Sequence, residues 1–342
     1  MNIIVLFYAL FVIALTIGVK LNLKVKNPKQ NRFSVLIACR NEEANLPALF
    51  DSLQKLDYPN HLFELIIVDD ASEDESPKLL DEFCKNRDNF FSYHLAVKDK
   101  EYLGKKAALK LASEKAKYEI LLLTDADCVV PENWLSSYNH HLNEEIDLVT
   151  GSVLEPSTTG IHNFSNRMNS GIYASTSGLR IPFGCSGGNF CIRKSRFEKV
   201  GGYSQIKHYL AGDDKMMLNL VKKSGGKITY NPESLVLTAP VKLDKKFDQK
   251  KRRYGKFNMS TIGIKLLQIA ILAFYIYLPF SLAKGEFYSF IIYYLAALAF
   301  LTATINTHKL KWIASDFVYV LIFPYYLIFY SIAGMMFKWK WK

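Results

Sequence analysis

The chain has 342 residues, half of them hydrophobic, which excludes disorder as its main state and allows one large or two ordinary domains. Charged residues make up 22% and mean hydropathy is +0.04, too apolar for an ordinary soluble enzyme and too polar for a pure membrane bundle. Forty-three Lys and Arg against 32 Asp and Glu leave +11, a balance that suits nucleic acid, an anionic membrane surface or phosphorylated ligands.

Residues 2–19 are almost uninterruptedly apolar, close to the ~20 residues a helix needs to cross hydrocarbon. A secretory signal is the competing reading, but the run lacks a basic start and a small-residue cleavage site. Lys20, Lys24, Lys26, Lys29 and Arg32 follow it, so the positive-inside rule places the N-terminus outside and the next segment in the cytosol.

From about 24 to 258, short β-rich runs alternate with amphipathic helical patterns. Strands are expected near 33–38, 63–68, 91–97, 120–124 and 147–153, with helices near 42–54, 77–85, 105–116 and 132–142. Nearly continuous apolar strands with helices between them predict a mostly parallel α/β sheet covered on both faces. Ligands in such sheets bind beyond the carboxyl ends of the strands. Asp69-Asp70 follows the second strand and Asp125-Ala126-Asp127 the fourth, so two acidic pairs arrive at one edge. One such Asp is ordinarily a cap or turn former. Two pairs repel unless a cation compensates, and Mg²⁺ or Mn²⁺ shared with substrate phosphates is the natural one.

Gly104-Lys105-Lys106 opens a helix, where backbone N–H groups and an ammonium favour anions, although solvated lysines on a helix are the plainer reading of that motif alone. Gly187, Gly188 and Asn189 lie in a small-residue stretch that suits either close approach to a ligand or a tight turn. Asp213 and Asp214 open a helical run over 215–223, as caps or as a carboxylate serving as general base. Residues 242–258 carry eight Lys and Arg and two Asp; Leu243, Phe247, Tyr254 and Phe257 fall within about 80° on a helical wheel, an interfacial helix or a purely electrostatic anchor. Three apolar stretches follow near 262–283, 287–305 and 313–337. The third is expected to cross, with Pro324 marking a kinked or re-entrant alternative. Five cysteines without metal spacing fit a reducing compartment.

The ordered set VLIACRNEE, VDDAS, LGKKAAL, TDAD, CSGGN, GDD and KKRRYGK resembles the membrane-bound family 2 glycosyltransferases, the group that holds cellulose and hyaluronan synthases and ceramide glucosyltransferases. The resemblance implies a GT-A nucleotide-sugar domain with transmembrane helices at both ends: a helix over 1–23, the domain over 24–241, a basic interface helix over 242–260 and about three segments over 261–342. It implies inverting, metal-dependent transfer from a nucleotide-diphosphate sugar, expected to be a UDP-sugar, to a lipid, lipid-linked or glycan hydroxyl. The expected setting is the cytosolic face of a bacterial inner membrane, among membrane lipids, without nucleic acid and with a homo-oligomer left open.

Asp69, Asp70, Lys105, Asp125, Arg40 and Glu42 match the nucleotide-sugar site; Asp127, with Asp125, matches the metal ligands; Gly187, Gly188 and Asn189 match the acceptor side. Asp214 matches the catalytic base, with Asp213 beside it, and Arg253 the residue that stabilises the leaving diphosphate. KKRRY departs from the Gln-x-x-Arg-Trp of processive synthases, which argues against long polymers. A sugar-phosphate nucleotidyltransferase would carry a glycine-rich loop after the first strand, where Cys39-Arg40-Asn41-Glu42-Glu43 stands. A non-catalytic membrane protein would leave the acids idle.

Overall fold

The computed structural model describes residues 2–22, 29–96, 102, 104–156, 160–209, 212–240, 247 and 262–336. Apart from Phe247, the basic 242–260 segment and Arg253 lie outside these residues. The chain divides into two compact units, one of Met1–Val19, Ser157–Gly171 and Pro240–Lys342, the other of Lys20–Pro156 and Ile172–Ala239. Residues 157–171 thus leave the single stretch expected as the catalytic domain and join the unit of apolar helices.

In the larger unit, β1 (Phe33–Cys39), β2 (Phe63–Asp69), β3 (Phe90–His94), β4 (Ile120–Asp125), β5 (Cys128–Val129), β6 (Ile146–Leu154), β7 (Phe190–Arg193) and β8 (Lys227–Thr238) form one sheet in the order β3-β2-β1-β4-β7-β6-β8-β5. The parallel half is β3-β2-β1-β4. β7 runs antiparallel to both β4 and β6, while β8 is parallel to β6 and antiparallel to β5. The sheet is therefore mixed, more so than the sequence pattern suggested, because β7 runs against both of its neighbours and β5 against β8.

Side chains alternate across each strand. Val35, Ile37, Leu65 and Ile67 pack on one face with α2 (Leu46–Gln54), α3 (Ser76–Cys84) and α5 (Trp134–Asn139). Leu36, Ile66, Val68, Leu121 and Leu123 pack on the other with α4 (Lys106–Lys115), α7 (Lys194–Lys199) and α8 (Asp213–Lys223). Burial on both faces explains the unbroken apolar runs; each fully buried Leu or Ile contributes about 1.5–3 kcal/mol. Register puts Asp69 opposite both Cys39 and His94, and Ala38 opposite Asp125. The strand ends therefore form one rim, and β1, flanked by β2 and β4, marks the reversal of strand order where such sheets open a crevice.

The smaller unit holds α1 (Ile3–Val19), the first part of α6 (Ile161–Gly178), α9 (Ile262–Ala283), α10 (Phe287–Thr307) and α11 (Asp316–Met336). Among the described residues, α9, α10 and α11 are long and apolar enough to cross a membrane, and α1 is a shorter apolar helix. Pro324 lies inside α11, which continues through it, so that segment is one helix. Tyr8 stacks on Phe274 at 4.0 Å between ring centroids and meets Tyr293 at 5.9 Å. At Gly171 an added Cβ would fall 2.1 Å from Thr304 Oγ1, so no larger residue fits there against α10.

α6 was not foreseen, because its Ser- and Asn-rich first half carries no apolar stripe, yet Asn163, Phe164, Ser165, Asn166, Arg167 and Ser170 are all buried. Arg167 Nη1 donates to Asp316 Oδ1 at 2.7 Å, with both side chains almost inaccessible, and its Nη2 donates to the Lys311 carbonyl at 3.1 Å. Removing one member of such a pair strands the other charge, which typically costs about 3–5 kcal/mol. Arg167→Ala should therefore lower the melting temperature in detergent sharply. The double variant Arg167→Met/Asp316→Leu should recover much of the loss; equal melting of wild type and single variant would refute the assignment.

Candidate active site

The loops leaving β1 and β2 are tied to each other before they reach any ligand. Asn41 and Ala71 take left-handed backbone, φ 53° and 55°, at the two exits. Asn41 N–H donates to Ser72 Oγ at 2.9 Å, and Asn41 Oδ1 accepts from Glu73 N–H at 2.8 Å. Glu42 N–H donates to Ser76 Oγ at 2.9 Å, and Glu43 Oε2 accepts from Glu75 N–H at 3.0 Å. The Ser72 hydroxyl in turn donates to Asp69 Oδ1, so Asp69, buried at the end of β2, is held by its own loop, which Asn41 braces from the neighbouring one.

Asp70 is buried beside it, with its N–H on the Cys39 carbonyl at 2.7 Å. Arg40 is exposed on the rim, 3.7 Å from Glu73, and the Glu42 carboxylate accepts from Asn45 at 2.6 Å. Partial burial works against the charge on Asp74, but hydrogen bonds from Ser76 and from backbone N–H groups outweigh it and hold the carboxyl below its usual range. The sign follows: the stability that this contact adds is present at neutral pH and is lost as the pH falls through the depressed value.

Across the rim, the Lys105 ammonium pairs with Asp125 Oδ1 at the end of β4. Burial opposes the charge on Lys105, yet Asp125 and Asp213 overcome it and raise its pKa. A small pocket is lined by Lys105, Thr124, Gly187, Tyr203, Asp213 and Asp214, with an apolar back of Leu109, Leu123, Phe190 and Met217. Asp213 and Asp214 are the first residues of α8, entered through Gly212 at φ 86°, and Asp214 Oδ1 accepts from Lys215 N–H at 2.7 Å.

Of the two glycines Gly188 is the tightly placed one, while Gly187 has room for ordinary contact. A Cβ at Gly188 would lie 3.0 Å from Asp125 Oδ2, and one at Gly187 would lie 3.4 Å from Asp214 Cβ. The turn therefore threads between the acids of β4 and those of α8.

Asn189, expected on the acceptor side, has its side chain fully buried and turned inward. Oδ1 accepts from Trp134 Nε1 at 2.9 Å, Tyr138 Oη at 2.8 Å and Ser234 Oγ at 3.1 Å. Nδ2 donates to the carbonyls of Ser152 and Ser234 at 2.8 and 3.0 Å. It locks β6, β8 and α5 behind the glycine turn. Tyr203, by contrast, lines the cavity and was not foreseen; burial and then Asp213 push its hydroxyl well above the usual pKa.

Asp125, Asp127 and Cys128 each bring one ligand atom within 4.8 Å of the others. Two hard carboxylates at a rim that also carries Lys105 suit a Mg²⁺ or Mn²⁺ shared with phosphate oxygens, so the residues fit such an ion.

Comparison with known proteins agrees with this geometry. Residues 34–201 match Glycosyl transferase family 2, and residues 120–333 match Glycosyl transferase family group 2. A beta-monoglucosyldiacylglycerol synthase of Trichormus variabilis is 34% identical over 102 residues, 30% of this chain and 21% of that protein. A poly-beta-1,6-N-acetyl-D-glucosamine synthase of Staphylococcus epidermidis is 30% identical over 131 residues, 38% and 30% of the two chains. The chain thus spans about a fifth to a third of the length of these curated relatives. Among solved structures, the mannosyltransferase PcManGT from Pyrobaculum calidifontis, in complex with GDP-Man and Mn²⁺, matches with a TM-score of 0.62 at 17% identity, over 96% of this chain and 94% of that one. That likeness establishes the shared GT-A fold. With the group match spanning well over half of its residues, the chain belongs to the family 2 glycosyltransferases.

Proposed function

We propose that this protein is an inverting, metal-dependent transferase that moves a sugar from a nucleotide-diphosphate sugar, a UDP-sugar, to a hydroxyl of a lipid, lipid-linked or glycan acceptor at the cytosolic membrane face. The observation that carries the reading is the gathering of Lys105, Asp213 and Asp214 around one pocket, with Lys105 paired to Asp125 at the carboxyl end of the parallel strand β4. Relatives named for diacylglycerol and N-acetylglucosamine products support a lipid or glycan acceptor, and three apolar helices support work at a membrane.

In this mechanism Asp69 and Asp70 hold the nucleoside, with Arg40 and Glu42 on the adjoining loop. Lys105 turns from Asp125 to the diphosphate. A divalent ion held by Asp127 and Asp125 would neutralise charge on the departing diphosphate. Asp214 takes the proton of the acceptor hydroxyl as its oxygen attacks the anomeric carbon from the face opposite the leaving group, so one displacement inverts the configuration. Asp213 keeps Lys105 charged, and the Gly187-Gly188 turn leaves room for the acceptor. Arg253, by its match to the family motif, adds a positive charge at the leaving group.

The test is thermal and chemical together. UDP with Mn²⁺ should raise the melting temperature, and screening UDP-, GDP- and dTDP-sugars for slow hydrolysis should single out one donor. Products should be of single or limited transfer, because the three candidate spans among the described residues and the altered KKRRY motif argue against a polymer channel. High-molecular-weight glycan made from donor alone by the reconstituted protein would overturn this, and absence of any nucleotide effect would overturn the transferase reading.

A further inference from the structure

We propose that Lys106 is a positioning residue that ties the start of α4, where Lys105 stands, to the segment leading into α8, and so sets where Asp213 and Asp214 stand for the chemical step. Resting on the reading of Lys105 as the diphosphate group and Asp214 as the base, this role falls to the second lysine of the Gly104-Lys105-Lys106 motif, which the mechanism leaves unused. Lys106 is the first residue of α4, directly after Lys105, and is only 1% exposed. Its Nζ donates to the carbonyl of Tyr209, ahead of the Gly212-Asp213-Asp214 entry to α8. A second tie runs beside it: the buried Tyr102 shares a hydrogen bond of 2.8 Å between its Oη and Ser204 Oγ. Ser204 belongs to the short helical turn Gly202–Ile206, whose Tyr203 lines the same pocket as Lys105, Asp213 and Asp214.

An ammonium is costly to bury, and an alkyl side chain would fill the same space without that cost, so the charge and its donors point to a use. Burial pulls the Lys106 pKa below the ordinary lysine value, and Asp213 pushes back. The same carboxylate raises the pKa of Lys105, so the first residue of α8 acts on both lysines at the start of α4. Ala108 and Leu109 hold α4 in the core independently, whereas Tyr209 is 49% exposed. Breaking the tie should therefore shift the segment before α8 and leave the nucleotide side in place. With Lys106 pinned to Tyr209, the Lys105 side chain can leave Asp125 for the diphosphate while the base keeps its distance from the reacting carbon. A misplacement of about 1 Å is enough to cost about 10²-fold in rate.

The test uses the full chain in detergent and compares two quantities for wild type, Lys106→Met and Lys106→Gln: kcat for hydrolysis of the donor singled out by the nucleotide-sugar screen, and the Kd of UDP with Mn²⁺ by calorimetry. Methionine keeps the length but removes the donor and the charge; glutamine keeps a shorter donor. Lys106→Met should lower kcat by about 10- to 10²-fold with Kd nearly unchanged, and Lys106→Gln should fall between it and wild type. A merely structural Lys106 would lower the melting temperature and leave kcat per UDP-binding site unchanged, which overturns the inference. A loss of UDP affinity as large as the loss of rate overturns it too. Should Lys106→Met fail to fold, Lys106→Gln decides by the same comparison: a fall in kcat at constant Kd supports the tie, and an unchanged kcat refutes it. These outcomes leave the donor reading intact; it falls, and the inference with it, if wild type binds neither UDP nor GDP or hydrolyses no donor.

Discussion

Asp214→Asn is expected to lower kcat by about 10²- to 10⁴-fold, the usual loss when one general base is removed, while nucleoside-diphosphate binding stays within a few fold. The separation follows from placement. Asp214 opens α8 on the far side of the Gly187-Gly188 turn from the β1–β2 loops, whereas the nucleotide residues sit on the strand ends. Asparagine keeps the shape and can still accept the Lys215 N–H, so a lost rate would report lost basicity rather than a collapsed helix start. Single-turnover rates and calorimetry with UDP on the same preparation separate the two quantities. Normal turnover of Asp214→Asn with an inactive Asp213→Asn would move the base by one residue; normal turnover of both would remove the mechanism.

The second large effect concerns Asp127. Asp127→Asn should cost about 10²- to 10³-fold in rate, comparable to losing one preorganised group that stabilises the developing charge, and excess EDTA should abolish wild-type turnover. Asp125 is a less clean test, because its carboxylate also carries the Lys105 ammonium and faces Gly188. Asp127 lies one step further along the turn, within ligand reach of Asp125 and Cys128. Full activity in EDTA, or an unaffected Asp127→Asn, would exclude the metal assignment; Mn²⁺ binding followed by electron paramagnetic resonance gives a readout that does not need turnover.

How much of this could be read in advance depended on what encodes each element. β1, β2 and β4 were legible because burial on both faces writes itself as a continuous apolar run, ending in acids in β2 and β4. The helix after GDD was legible from its glycines at both ends. β8 was not, since its twelve residues include Pro232 and Glu233 and it pairs with β6 across register shifts that no local pattern announces. α6 was hidden for a different reason: its buried polar side chains are satisfied by residues far along the chain, Asp316 being 149 positions from Arg167. The partners of Asn189 were hidden in the same way. A small-residue stretch ending in Asn suits a ligand contact, but its partners Trp134, Tyr138, Ser152 and Ser234 come from three separate segments that only the folded sheet assembles. Tyr203 had a faint signal in Gly201-Gly202 just before it, which marks a forced turn without saying where the ring goes.

The lacing of residues 41–43 to residues 72–76 has a consequence for anyone wishing to alter which nucleotide this scaffold accepts. Asn41 and Ser72, Glu42 and Ser76, and Glu43 with Asp74 and Glu75 are hydrogen-bonded reciprocally across two loops. Transplanting either loop from another transferase would break that lattice, and replacing the second would also remove the hydroxyl partner of Asp69. The exchangeable module is the pair of loops grafted together, and libraries that randomise both at once should yield folded variants far more often than libraries that randomise either.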